Sequence, residues 1–181
     1  MEIIESEIRQ IFASVVWNHK IHEKQCDINS KHYNFLEFVR LLSSVITTSG
    51  LLTCIFIDEF YVKLVTTIVS AISMFVTAFC KTYNIKDTMQ EHKVIALEFL
   101  QLKNEIISIL SEIKIKRIDE ERAIEKRNKV LDKYHTLCKK SLNTTDKAVK
   151  LASKALKEQR DNTFDDKEID SYLPIELRKE K

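Results

Sequence analysis

The sequence predicts an all-α membrane protein: a two-helix transmembrane hairpin with an N-terminal amphipathic helix and a long helical, coiled-coil cytoplasmic region. Three observations carry this. Residues 41–57 (LLSSVITTSGLLTCIFI) and 64–80 (LVTTIVSAISMFVTAFC) are uncharged runs, closed off by Arg40 and Asp58 and by Lys63 and Lys81. The 181 residues include one Gly and one Pro, which removes most turn punctuation and favours little-interrupted helix over sheet. Ile95, Phe99, Leu102, Ile106, Ile109 and Ile113 alternate spacings of four and three, the seam of a helix packed along its length.

Taken in order, the first element is a helix over residues 2–24. It places Ile4, Ile8, Ile11, Phe12, Val15 and Val16 at helical spacing, with Glu2, Glu5 and Glu7 in the opening turns, where acids complement the helix dipole. A glutamate-rich polar face suits packing against cytoplasmic helices better than lying on anionic lipid with Trp17 at the headgroups. His19, His22 and Cys26 share one face beside Asp27. Three such side chains are a zinc set in principle, but a polar helix end at an interface is the commoner meaning, and no metal or other cofactor is expected. Residues 27–34 (DINSKHYN) are rich in turn formers and are expected to interrupt the helix before the first crossing.

Each uncharged run gives roughly 25 Å of helix, the short end of what crosses a hydrocarbon core of roughly 30 Å. Phe38, Val39, Phe60 and Tyr61 extend the apolar reach, and Arg40, Lys63 and Lys81 mark the interfaces, Arg40 and Lys81 by snorkelling. A six-residue connector (DEFYVK) makes the two helices antiparallel neighbours. A soluble bundle with a buried hairpin is the competing architecture. Lys24, Lys31 and Arg40 precede the hairpin and Lys81, Lys86 and Lys93 follow it, against one Lys in the connector. This bias predicts a multi-pass chain with both termini in the cytoplasm. Residues 1–25 lack a signal-peptide apolar core, so the first run is expected to insert uncleaved.

Both spans carry a polar stripe. Ser43, Thr47, Gly50 and Cys54 share one face of the first; Thr66, Ser70, Ser73 and Thr77 share one face of the second. Such a stripe either lines a water-filled pore between copies of the chain or lets helices approach and hydrogen-bond, and the residues alone favour the second. Neither run contains an acid or base, which leaves a proton relay or voltage sensor unsupported.

Beyond the hairpin, Ala96, Leu100, Ile107 and Leu110 broaden the seam, as a bundle requires. Residues 114–129 are mostly charged, a solvated face or hinge. Ile124, Leu131, Tyr134 and Cys138 form a weaker stripe able to fold back. Residues 143–146 (NTTD) offer N-caps for a helix over 147–160 with Ala148, Leu151, Ala152, Ala155 and Leu156 inward. Asp165 and Glu168 form a capping-box-like start to another turn, ended by Leu173 and Pro174. Asp161, Asn162, Asp165 and Asp166 lack the spacing and the glycine of a calcium loop.

Composition excludes several functions. Net charge is +2 and mean hydropathy is −0.20, so no global charge points to nucleic acid. A single Gly forbids both GxGxxG and the P-loop, and no HExxH or GxSxG occurs. No enzyme is expected. The four cysteines (Cys26, Cys54, Cys80, Cys138) are scattered without CxxC, which fits free thiols in a reducing compartment.

Four stretches, in order, carry a family likeness: the amphipathic start into Trp17-Asn18-His19-Lys20 with His22 and Lys24; the hydroxyl-rich hairpin; His92-Lys93 leading to Glu98-Phe99-Leu100-Gln101-Leu102-Lys103; and KAVKLASKALK followed by Phe164, Glu168-Ile169, Leu173-Pro174 and Leu177-Arg178. In this the chain resembles the SLATT family, the SMODS and SLOG-associating two-transmembrane effector domains of bacteria. The resemblance implies an oligomeric pore-forming or membrane-perturbing effector of conflict and antiphage systems. Its partners would be the bilayer, further copies of itself, and a nucleotide-second-messenger synthase or sensor. The whole chain would then be one unit: 1–40, the hairpin 41–80, and 81–181. Ser43, Thr47, Gly50, Thr66, Ser70, Ser73 and Thr77 become candidate pore-lining residues under that reading. A non-conducting membrane anchor that recruits a partner through the cytoplasmic helices is the alternative.

Overall fold

The computed structural model describes residues 1–56, 59–159, 161 and 168–169, and among these there are five helices and no strand. Helix α1 runs unbroken from Glu2 to Phe56 (Glu2–Phe56, 55 residues), about 80 Å at 1.5 Å per residue. Helix α2 (Phe60–Thr82) returns antiparallel to it, and α3 (Ile85–Lys114) continues in the same direction. Only Tyr83 and Asn84 separate those two, with Asn84 in the left-handed region at φ 44°, a conformation Asn tolerates better than most residues. The molecule is therefore two antiparallel rods. Gly50 abuts Thr66 near the tip, His22 meets His92 lower down, and His19 meets Ala96 one turn further. One register holds along the whole length.

Two shorter helices thicken the base. Helix α4 (Glu120–Lys140) folds back after a turn in which Arg117 N–H bonds the carbonyl of Glu112 and Lys116 takes a φ of 54°. Asp119 caps it through the N–H of Arg122 at 2.9 Å, as its position before two first-turn acids favours. Helix α5 (Asp146–Lys157) is capped by Thr145 and lies against α1, confirming the N-cap residues expected at 143–146.

The core sits in this base. Ile4, Ile8 and Val15 of α1 pack with Ile95, Phe99, Leu102, Ile106, Ile109 and Ile113 of α3 and with Ala123 and Val130 of α4. A second cluster joins Ile21 and Ile28 of α1 to Ala148 and Ala152 of α5, with Trp17 against it. Trp17 is thus spent inside the base rather than at a headgroup.

Two expectations are corrected. Residues 27–34 do not interrupt the helix. Asp27, Asn29, Ser30 and Asn34 each cost only some tenths of a kcal/mol in a helix, while Ile28 is buried against α5 and Gln25 bonds Asn29 one turn on. In α4 the inward lane is Ala123, Val130, Tyr134 and Leu137, not Ile124, Leu131 and Cys138. Small Ala123 allows close approach, and that rotation brings Arg127 Nη1 within 2.9 Å of Glu7 on α1. Asn162, Asp165 and Asp166, Leu173–Pro174, and Ile57–Asp58 of the hairpin tip lie outside the described residues.

Candidate functional site: the hairpin and its buried polar base

Between Phe35 and Tyr83 most of the large apolar side chains face outward, while Val76 is buried. Phe38, Leu42, Val45, Leu52, Ile55 and Phe56 of α1, and Val65, Ile68, Met74 and Phe75 of α2, are all exposed, Phe56 to 84 %. Soluble monomers rarely expose contiguous apolar patches beyond a few hundred Å². Both α1 and the rod that begins at Phe60 contain stretches long and apolar enough to cross a membrane, and almost nothing in those stretches is buried. The buried-hairpin alternative fails on that point, because a soluble core helix would be covered.

The hydroxyl stripe turns the other way. Ser43 and Thr66 are buried; Thr47, Gly50, Cys54, Ser70 and Ser73 are half-buried, and Thr77 is exposed. Gly50 shows why: a Cβ there would be driven into the side chain of Thr66, so the two backbones approach as closely as small residues permit. Continuing the antiparallel register sets Thr47 level with Ser70 and Ser43 level with Ser73. Thr47 Oγ1 is buried without a hydrogen-bond partner among the described residues. The outward hydroxyls are satisfied within their own helix: Thr48, Thr53, Thr67 and Thr77 each donate to the carbonyl four residues back. That bonding hides a donor from lipid.

Of the residues expected at membrane interfaces, Arg40 bonds Glu37 at 2.6 Å and Lys81 is exposed at the base of the hairpin. Lys63 stands on the first turn of α2, near the tip. All six seam residues, Ile95 to Ile113 at their heptad-like spacing, are buried in the base.

Below the hairpin lies a polar layer. Lys20 is 1 % exposed, and its ammonium is held by Glu23 at 2.8 Å and Asp161 at 3.0 Å. Burial alone would lower its pKa; the two carboxylates outweigh this and hold it above the usual lysine value. His19 donates from Nδ1 to the carbonyl of Ala96 (2.8 Å), leaving Nε2 3.4 Å from Glu23. His22 and His92 face each other through their Nδ1 atoms at 2.9 Å, so one ring donates and the other accepts. His22 also stacks on Phe99. Burial lowers the pKa of all three histidines, and with His92 adding its repulsion His22 falls to about 4. Gln25 Oε1 accepts from both the N–H and the hydroxyl of Thr145, tying the start of α5 to α1.

The zinc set considered for His19, His22, Cys26 and Asp27 does not form: no group of three metal-binding side chains occurs among the described residues. The histidines bond a carbonyl and each other instead. Sequence reasoning missed two members of this layer. His92 lies three residues before Ile95, on the same seam, and that phase was the available signal. Lys20 sits one residue from His19, and nothing in its spacing foretold two acids from different segments.

Two apolar helices with bare outer faces, each long and apolar enough to cross a membrane, rooted in a charged helical base, define an all-α protein of membrane type. The chain belongs to the SMODS and SLOG-associating 2TM effector domain family 4, whose family model matches residues 4–168. Membership places it among membrane-associated effector domains of conflict systems. No curated protein and no solved structure gives a match.

Proposed function

We propose that copies of this chain assemble in the inner membrane, both termini cytoplasmic, and permeabilise it when the helical base is triggered by a nucleotide signal or a partner protein. The observation that carries this reading is the continuity of α1 from Glu2 to Phe56. With no break between base and span, a rotation of α1 in the base turns the first span as well. The base also has an element suited to switching. Helix α4 buries only Ala123 and Val130 fully; Tyr134 and Leu137 add partly buried contacts, and ion pairs that include Arg127–Glu7, Lys133–Glu105 and Lys140–Glu98 supply the rest. Such pairs contribute at most about 1 kcal/mol each, so a ligand with modest differential affinity can shift this helix.

At rest, Ser43, Thr47, Gly50, Thr66, Ser70 and Ser73 are turned between the helices. Rotation would wet them. The unpaired Thr47 hydroxyl costs about 1–3 kcal/mol while buried, and water in a lumen would remove that cost. The same inward placement favours the second reading, a non-conducting anchor in which the stripe is only packing.

Membrane potential and dye entry after induction separate the two. The comparison is wild type against Thr47→Val/Ser70→Ala/Ser73→Ala, which removes hydroxyls with little change in volume. Depolarisation by wild type and its loss in the triple variant are the expected outcome. Depolarisation by both would leave the effector but return the stripe to packing. If neither depolarises, even with the trigger supplied by the complete conflict system, the anchor reading stands.

A further inference from the structure

Where α1 leaves the base, two adjoining cavities meet at His32. One, of about 310 Å³, lies between α1 and α5 and is lined by Lys24, Lys31, Lys147, Lys154, His32 and Asp27 among others. Four lysines thus face one aspartate. Lys24 spends part of its charge on Glu23 and Asp27, at 3.4 and 3.6 Å. Lys31, Lys147 and Lys154 are exposed and have no acid partner among the described residues. The other cavity, of about 410 Å³, opens where α1 faces the α2–α3 junction. Its wall includes His32, Phe35, Leu36, Phe79, Tyr83 and Ile85, with Phe79 and Tyr83 in ring contact at 4.5 Å.

The levels match a bilayer boundary. Phe35 and Phe38, both exposed, begin the outward apolar belt, and Lys31 lies one helical turn, about 6 Å, below Phe35. A site that is basic on its inner side and aromatic on its outer side, at the depth where hydrocarbon gives way to headgroups, has the chemistry of one ligand. We propose that this pair of cavities binds an anionic glycerophospholipid of the leaflet on the side of the base. Its phosphate sits among Lys31, Lys147 and Lys154, and the glycerol end of its acyl chains lies against Phe35, Phe79 and Tyr83. Basic pockets at this depth select anionic headgroups through charge, and the selection fades beyond a Debye length. Because α5 supplies two of the three lysines, the lipid also staples α5 to α1. This requires the membrane location alone and is independent of permeation.

Full-length protein in a neutral detergent, titrated with phosphatidylglycerol or phosphatidylcholine of the same acyl chains and read by native mass spectrometry, tests it. Phosphatidylglycerol should bind about tenfold or more tightly than phosphatidylcholine, as expected for three unneutralised lysines. Lys31→Gln/Lys147→Gln/Lys154→Gln should abolish the preference, and Lys31→Arg/Lys147→Arg/Lys154→Arg should keep it. Far-ultraviolet dichroism of both variants checks that the helices persist. Equal binding of the two lipids by wild type, or an undiminished preference in the glutamine variant, overturns the proposal. So does full displacement of phosphatidylglycerol by millimolar glycerol phosphate, since the site would then belong to a free phosphate anion.

Discussion

The lower and upper halves of α1 solve opposite problems with one helix. From Glu2 to Ile28 one apolar lane, Ile4, Ile8, Val15, Ile21 and Ile28, is buried against α3, α4 and α5. From Leu41 to Phe56 the large apolar side chains are exposed, and Ser43, Thr47 and Gly50 face the protein. In the base, burial of hydrocarbon drives association. In the hairpin, lipid is as apolar as leucine, and only close packing and polar contact bring helices together. The same residue type therefore has opposite value in the two halves.

The largest expected effect breaks the base alone. Phe99 is fully buried, touching both His22 and Tyr134, so Phe99→Ala should cost about 3–5 kcal/mol. Phe75 in the hairpin is mostly exposed, and Phe75→Ala should shift stability by less than about 0.5 kcal/mol in micelles. Urea titration of the two variants in one detergent gives the contrast. Equal losses would mean that the outward face of α2 is covered by protein.

Acid should act on the base next. The folded-state pKa of His22 lies below its unfolded value, from 6.5 to about 4. The unfolded chain therefore binds more protons at low pH. The neutral pair's contribution is intact above pH 6.5 and is lost as pH falls toward 4, on the order of 3 kcal/mol. Thermal melts between pH 7 and pH 4 should show the base loosening while hairpin helicity persists. A His22→Leu/His92→Leu variant should lose most of that slope. A slope unchanged in the variant would assign it to carboxylates instead.

What could be read in advance follows from the same contrast. Uncharged runs and the seam from Ile95 to Ile113 are long patterns, and long patterns survive local noise. The apolar hairpin and the seam helix α3 were legible for that reason. The break expected at residues 27–34 was not there because its signal was a sum of weak propensities, and burial of Ile28 outweighs them. In α4 two apolar lanes run side by side, and only the contact of Ala123 with its neighbours chooses between them. For the hydroxyl stripe, periodicity said that Ser43, Thr47 and Gly50 share a face, but not whether that face meets water, lipid or α2. His92 and Lys20 were hidden because a buried polar pair is defined by its partner, which sequence spacing does not supply across the two rods.

The subtlest prediction sharpens the comparison at the hairpin itself. If close approach is what joins α1 to α2, the cost of a single methyl at Gly50 should depend on what faces it. Gly50→Ala drives Cβ into the Thr66 side chain, and strain of this kind costs about 1–3 kcal/mol. Without that contact, a Gly-to-Ala change within a helix would instead gain about 1 kcal/mol in propensity, so the sign at Gly50 separates packing from intrinsic preference. Thr66→Ala should by itself cost some stability, since it leaves a small void in a buried contact. Combined with Gly50→Ala it should restore most of the loss, because the space vacated by Thr66 receives the new methyl. Disulfide trapping between cysteines placed at residues 47 and 70, level with each other across the two spans, reads the approach directly. Trapping should be fast in wild type and in the double variant, and slow in Gly50→Ala alone. Additive effects with no restoration would mean that the two residues do not meet in the membrane, and the inward placement of the stripe would fall with them.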